Sequence, residues 1–242
     1  MTAKVKLRIA MAQVNPTVGA LASNASLITR SVAAAKSEGA DVVLFPEMVL
    51  TGYPVEDLAL RTSFQEASKK ALNALATELD STILSIVGYL DNVNGKPQNT
   101  VALIYGGRVQ ARYVKCHLPN YGVFDEYRNF SAGDSTLVAR LHGVDLGIAI
   151  CEDLWIDGGI TAQLAARKPG VVLVPNGSPY ERDKDDVRLA LVQKRAREMG
   201  APLVYVNMTG GQDDLVFDGD SIAVGADGSV IARAPQDRKS VV

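Results

Sequence analysis

The sequence predicts an α/β fold, a layered sandwich of short strands, helices and hairpins. Three observations carry that expectation. Short apolar strand segments outnumber helical ones, the helices cluster between the first strands and again late in the chain, and glycine-bearing turns join strands that are neighbours in sequence. A regular (βα)n barrel would need strict alternation, which the hairpins break. With 242 residues, no internal repeat and no low-complexity tract, the chain reads as a single domain over 1–242. It is long enough to bury its own core without disulfides or a structural metal.

Residues 7–14 (LRIAMAQV) form a short apolar run that predicts a buried strand. Residues 23–38 follow with Leu27, Ile28, Val32 and Ala35 on one helical stripe, and Gly39 stands where a C-terminal cap belongs. A second strand over 42–45 is stopped by Pro46. A loop through Gly52, Tyr53 and Pro54 leads to a helix at 64–79 and a third strand at 83–89. Strands at 99–105 and 109–114 flank Gly106-Gly107, and a second pair at 137–141 and 144–150 turns across His142-Gly143. Beyond them lie a strand at 171–174, a helix at 186–199 and a strand at 203–206. A last hairpin, 221–224 with 229–233, turns at Asp227-Gly228.

Composition narrows the function classes. Hydrophobic residues are 47% and charged residues 21% of the chain, the balance of a folded globular protein. A formal net charge of −2 supplies no basic face for nucleic acid or an anionic membrane. No run approaches the ~18 apolar residues of a membrane span, and residues 1–16 lack the apolar region and cleavage site of a signal peptide. The two cysteines, Cys116 and Cys151, form no CxxC pattern, and two histidines are too few for a His-rich metal site. The expectation is a cytoplasmic protein with both thiols free.

The chemistry concentrates where apolar strands end. In GVDLGIAICEDLW, residues 143–155, the apolar run stops at Ile150 and Cys151, Glu152 and Asp153 arrive together. Strand ends are where α/β enzymes place their sites. Carboxylates beside a thiol disfavour the thiolate, so a nucleophilic Cys151 needs a base and a cation close by. Glu47, just past the second strand, and Lys115, just past the strand after the Gly-Gly turn, leave their strands in the same way. A carboxylate, an ammonium and a thiol together form an amide-hydrolysing set. The carboxylate takes the thiol proton, and the ammonium stabilises thiolate and oxyanion. Taken singly, Cys151 also reads as a small core residue, and Glu47 and Lys115 as surface charges. A Cys–His arrangement is the rival. Cys116 and His117 are adjacent on an extended segment and point to opposite faces, while His142 sits in a turn.

Several blocks resemble the nitrilase superfamily. They are FPE with GYPVEDLALR (52–61), K-x-HLPNYGVFDE (115–126), ICEDLW (150–155), N-x-SPY (176–180), PLVYVN (202–207) and GGQDDLVFDGDS (210–221). The GYPVEDLALR, LPNYGVFDE and LVFDGDS stretches are more narrowly similar to the amino-terminal glutaminase domains of glutamine-dependent NAD synthetases. The resemblance covers nearly the whole chain and implies a four-layer αββα sandwich. It also implies Glu47 as general base, Lys115 at the oxyanion and Cys151 as nucleophile towards the side-chain amide of L-glutamine. Tyr121, Ser178 and Lys184 match the glutamine-binding positions, with Glu152 and Tyr53 as further wall residues. No cofactor is implied for this domain. ATP, Mg and deamido-NAD belong to a synthetase domain that accepts the ammonia and is not found in this sequence, and a homo-oligomer is expected. Two departures stand out: Asn176-Gly177-Ser178 replaces the more usual Asn-Ala-Ser, and Asp183 stands where glycine commonly precedes the basic residue. The alternatives are a stand-alone amidase for another small carboxamide and a regulatory module with a vestigial trio.

Overall fold

The computed structural model describes residues 6–182 and 185–241. Among these, two six-stranded sheets face one another. The first runs β14 (Ser240–Val241), β1 (Ile9–Gln13), β2 (Val42–Leu44), β3 (Leu84–Val93), β4 (Lys96–Tyr105) and β5 (Arg108–Val114). The second runs β13 (Val230–Arg233), β12 (Ile222–Val224), β9 (Leu203–Val206), β8 (Val171–Pro175), β7 (Val144–Ile148) and β6 (Leu137–Leu141). Each sheet has a parallel centre, β1–β2–β3 or β7–β8–β9, widened by antiparallel neighbours. A separate hairpin joins β10 (Thr209–Gln212) to β11 (Leu215–Asp218).

The alternating pattern of the strands builds the layers. In the first sheet Met11, Val42, Leu44 and Ile86 turn towards the second sheet and share one core with Ile148, Leu173 and Val206. Their neighbours Ala10, Ala12, Val43 and Val87 turn outwards onto α1 (Leu21–Ser37) and α2 (Thr62–Glu78), meeting Ile28, Val32, Leu72 and Leu75. This period of two is what a sheet covered on both faces requires. On the far side, α4 (Gly159–Arg167) and α5 (Asp185–Met199) cover the second sheet through Leu164, Val192 and Ala196. The result is the expected α/β order of helices, sheet, sheet, helices. A short helix, α3 (Glu126–Asn129), lies in the loop after β5.

The structure adds elements that the pattern of apolar residues did not reveal. The third strand runs to Val93 and turns at Asn94-Gly95 straight into β4, both residues at positive φ. That dipeptide is a hairpin signal, and polar residues on both sides of it hide the strand continuation. Helix α4 has only nine residues, too few for the pair Ile160 and Leu164 to stand out as a stripe, and β10 is built from Thr209, Gly210, Gly211 and Gln212, which carry no apolar alternation. The strand before Cys151 ends at Ile148, two residues sooner than its apolar run.

Candidate active site

Three strand ends converge at one end of the seam between the sheets. Glu47 begins the turn after β2, Lys115 follows β5, which runs in the same sense as β2 and β3, and Cys151 follows β7 of the facing sheet. Glu47 and Lys115 are fully buried and Cys151 is 5% exposed. The Lys115 Nζ lies 2.7 Å from Glu47 Oε1, which also accepts a 2.7 Å bond from the Asn99 amide on β4. Among the described residues Glu47 Oε2 has no hydrogen-bond partner, so one lone-pair face of a buried carboxylate is not committed to them. Gly177 lies over that oxygen: a Cβ there would sit 3.2 Å from it and 2.7 Å from the Tyr53 ring. Glycine at this place keeps the Asn176–Ser178 backbone close to both.

A third carboxyl completes the cluster. Glu126, at the start of α3, accepts at Oε1 from Lys115 at 3.0 Å and from the Tyr53 hydroxyl at 2.9 Å, and its Oε2 lies 2.9 Å from the same ammonium. One ammonium thus sits between two buried carboxyls. Burial and the Glu47 charge push the Glu126 carboxyl up to about 7, against the pull of Lys115. Burial opposes the Lys115 charge, yet Glu126 and Glu47 together hold it well above the ordinary lysine value. Burial, then the Glu47 charge, also push the Cys151 thiol up, while Lys115 and a backbone hydrogen bond from Gly177 pull it back. A thiol raised in this way needs a base beside it before it could act as a nucleophile.

Cys151 itself has φ 42, in the left-handed region that side chains disfavour. It opens a 3-10 turn, Cys151–Leu154, that carries it out of the sheet. It lines a cavity of about 430 Å³ with Tyr121, Phe124, Glu152, Trp155 and Ser178, and with Glu181, Arg182 and Val187 at the rim. The Tyr121 hydroxyl donates to Glu152 Oε2 at 2.9 Å. Burial raises the Glu152 carboxyl above its ordinary value. Asn207 holds Ser178 at both ends of its backbone, accepting from its N–H and donating to its carbonyl, each at 3.0 Å.

The sequence-based expectations meet this geometry unevenly. Glu47, Lys115 and Cys151 come together, and Tyr121, Glu152 and Ser178 share the cavity with Cys151. Tyr53 does not line it. It is 3% exposed, its ring packs edge-on against Phe217 and its hydroxyl is committed to Glu126, so it supports the carboxyl cluster from behind. Lys184 lies outside the described residues; Arg182, two positions earlier, is the cation on the described cavity wall. The Cys–His rival fails on geometry: His117 Nδ1 pairs with Asp153, Cys116 faces Tyr113 and backbone carbonyls, and His142 sits exposed in its turn. Glu126 was not singled out, although it ends the same block that Lys115 begins. Among the described residues no cluster of three or more His, Cys, Asp or Glu is placed to hold a metal ion.

The sequence profile of the carbon-nitrogen hydrolases matches residues 8–242. The chain belongs to the carbon-nitrogen hydrolase family. Within this family it is 44% identical over 239 residues to a glutamine-dependent NAD(+) synthetase of Rhodobacter capsulatus, covering 98% of this chain and 43% of that protein. A glutamine-dependent NAD+ synthetase from Acinetobacter baumannii superposes with a TM-score of 0.94 at 36% identity, over 98% of this chain and 44% of that one. An amidase from Nesterenkonia, of the nitrilase superfamily, superposes at 0.84 with 26% identity over 98% of this chain and 91% of that one; one of its structures carries acrylamide added at the active site cysteine. The chain spans less than half the length of the NAD synthetases it matches.

Proposed function

We propose that this carbon-nitrogen hydrolase domain is a glutaminase, which cleaves L-glutamine to glutamate and ammonia through a thioester on Cys151. The observation that carries the reading is the buried cluster of Glu47, Lys115 and Cys151 opening onto a cavity with both a carboxylate, Glu152, and a cation, Arg182, on its wall. Such a wall suits an amino acid, whose ammonium and carboxylate each need a partner of opposite charge. In the reaction, Cys151 Sγ attacks the side-chain amide carbon as its proton passes to the open oxygen of Glu47. Lys115 stabilises the oxyanion. The tetrahedral adduct collapses to the thioester, and the proton on Glu47 goes to the departing amine. Water then attacks the thioester, giving its proton to Glu47, and the thiol is regenerated with release of glutamate.

The similarity to glutamine-dependent NAD synthetases supports glutamine as the substrate, and an ATP-dependent synthetase domain that amidates deamido-NAD as the consumer of the ammonia. ATP, Mg and deamido-NAD would bind there. A homo-oligomer and a cytoplasmic setting follow from the same reading; no helix among the described residues is long and apolar enough to cross a membrane. The test is glutamate release from glutamine beside a panel of small amides, with Cys151→Ala as control. Loss of at least ~10³-fold in the variant is expected, in line with removal of a covalent nucleophile. Equal rates in the two proteins would sink the mechanism, and preference for an amide without the amino-acid head group would favour a stand-alone amidase.

A further inference from the structure

Asp153 is fully buried and does not line the cavity, yet five donors converge on its carboxylate. Oδ1 accepts from the backbone N–H groups of Cys116 at 3.1 Å and His117 at 2.9 Å, and pairs with His117 Nδ1 at 3.1 Å. Oδ2 accepts from the Tyr113 hydroxyl at 2.7 Å and from the N–H of Ile150 at 3.0 Å. Its own N–H returns a bond to the Ile150 carbonyl at 3.0 Å. These partners come from two chain segments. Tyr113, Cys116 and His117 bracket Lys115 at the end of β5, in the first sheet. Ile150 and Asp153 bracket Cys151 at the end of β7, in the second.

We infer that Asp153 is a positioning residue, which fixes Lys115 and Cys151 relative to one another across the seam between the sheets. It pins the left-handed backbone of Cys151 on both sides and holds the segment that carries the ammonium against it. The need for such a tie is physical. The nucleophile and its cation arise on different sheets, and among the described residues no ladder hydrogen bonds join those sheets to set their spacing. A misplacement of about 1 Å costs on the order of 10²-fold in rate. The inference rests on Cys151 as nucleophile with Lys115 as its cation, and not on the identity of the amide.

Asp153→Asn keeps the side-chain volume but turns one acceptor into a donor, so either amide orientation faces an N–H group that it cannot accept from. Two readouts are needed: steady-state glutamine hydrolysis per active site, and alkylation of Cys151 by chloroacetamide, read on the Cys151 peptide so that Cys116 does not interfere. In Asp153→Asn we expect kcat to fall about 10²-fold with KM within about threefold, and alkylation to slow in parallel. In a Lys115→Gln background the same substitution is expected to cost less than about threefold, because the placement it sets has lost its object. Unchanged kcat per labelled site, or an equal loss with and without Lys115, overturns the assignment. If the parent does not hydrolyse glutamine, the alkylation arm still decides. Should Asp153→Asn not fold, Tyr113→Phe removes one of the five donors, and alkylation at the parental rate in that variant overturns the assignment as well.

Discussion

Cys151 shows how far a single residue depends on its surroundings. Its thiol is raised by burial and by the Glu47 charge, conditions that would leave it inert without a base within reach. The open oxygen of Glu47 and the Lys115 ammonium supply what the thiol lacks. Glu126 has the most telling titration. Its carboxyl is lifted from an ordinary 4.5 to about 7, first by burial and then by Glu47. For an acid raised in the folded state, the folded protein holds a proton that the unfolded chain releases. The associated stability is therefore full below about 4.5 and lost as pH rises through 7, a displacement worth roughly 3 kcal/mol. Glu126→Gln keeps the shape and removes the titration. Its unfolding free energy, from denaturant melts at pH 5, 6 and 7, is expected to fall less with rising pH than that of the parent. Parallel slopes would refute the shift.

At the scale of elements, the site is held by close backbone approaches. Gly88 in β3 lies beneath the turn that carries Glu47, and a Cβ there would come within 2.2 Å of the Met48 nitrogen. The turn follows the strand because the Leu50 N–H bonds to the Gly88 carbonyl and Met48 adopts positive φ. Gly88→Ala forces backbone against backbone, with no flexible side chain to give way. It is expected to destabilise the fold by about 3 kcal/mol or more, beyond ordinary overpacking, or to displace Glu47 and abolish activity. A thermal melt together with an amide-hydrolysis assay checks this; a variant with parental stability and rate would show that the turn is free to move. The turn that carries Cys151 is braced from outside as well. Arg195 on α5, 2% exposed, donates to the Leu154 carbonyl at 2.5 Å and spans to Glu198 and Asp157. Its charge is thus paired at the edge of the cavity's supporting layer.

At the scale of the molecule, the two sheets meet through apolar packing and a few buried polar ties. Gln13, on β1 of the first sheet, accepts from the Ser221 N–H at 3.0 Å and hydroxyl at 2.8 Å, just before β12 of the second. Its amide donates to the carbonyls of Pro235 and Arg238. Ser221 in turn accepts from Asn207, which holds Ser178 at the cavity. One buried chain of polar groups thus runs from the first sheet to the wall of the Cys151 cavity. Gln13→Ala strands a buried N–H and two carbonyls, and a loss of about 2–4 kcal/mol is expected, given about 1–3 for each buried group left unpaired. Calorimetric melts measure it; a shift of less than a degree would mean that water replaces the amide without cost.

Periodicity in the sequence determined the α/β class, the order of the main elements and the strand-end positions of Glu47, Lys115 and Cys151. A buried strand is written as a short apolar run and an amphipathic helix in residues three or four apart, so both are local patterns. The motif blocks then pointed to the family before any contact was known. What the tertiary structure decided was everything carried by residues far apart in sequence. Glu126 joins Lys115 only because the loop after β5 folds back, and Tyr53 withdraws behind the cluster because its hydroxyl finds Glu126. Asp153 reaches the Lys115 segment only because two sheets stack. Local sequence sets which backbone a residue prefers; which charges share one buried volume depends on how the layers close, and no local pattern encodes that.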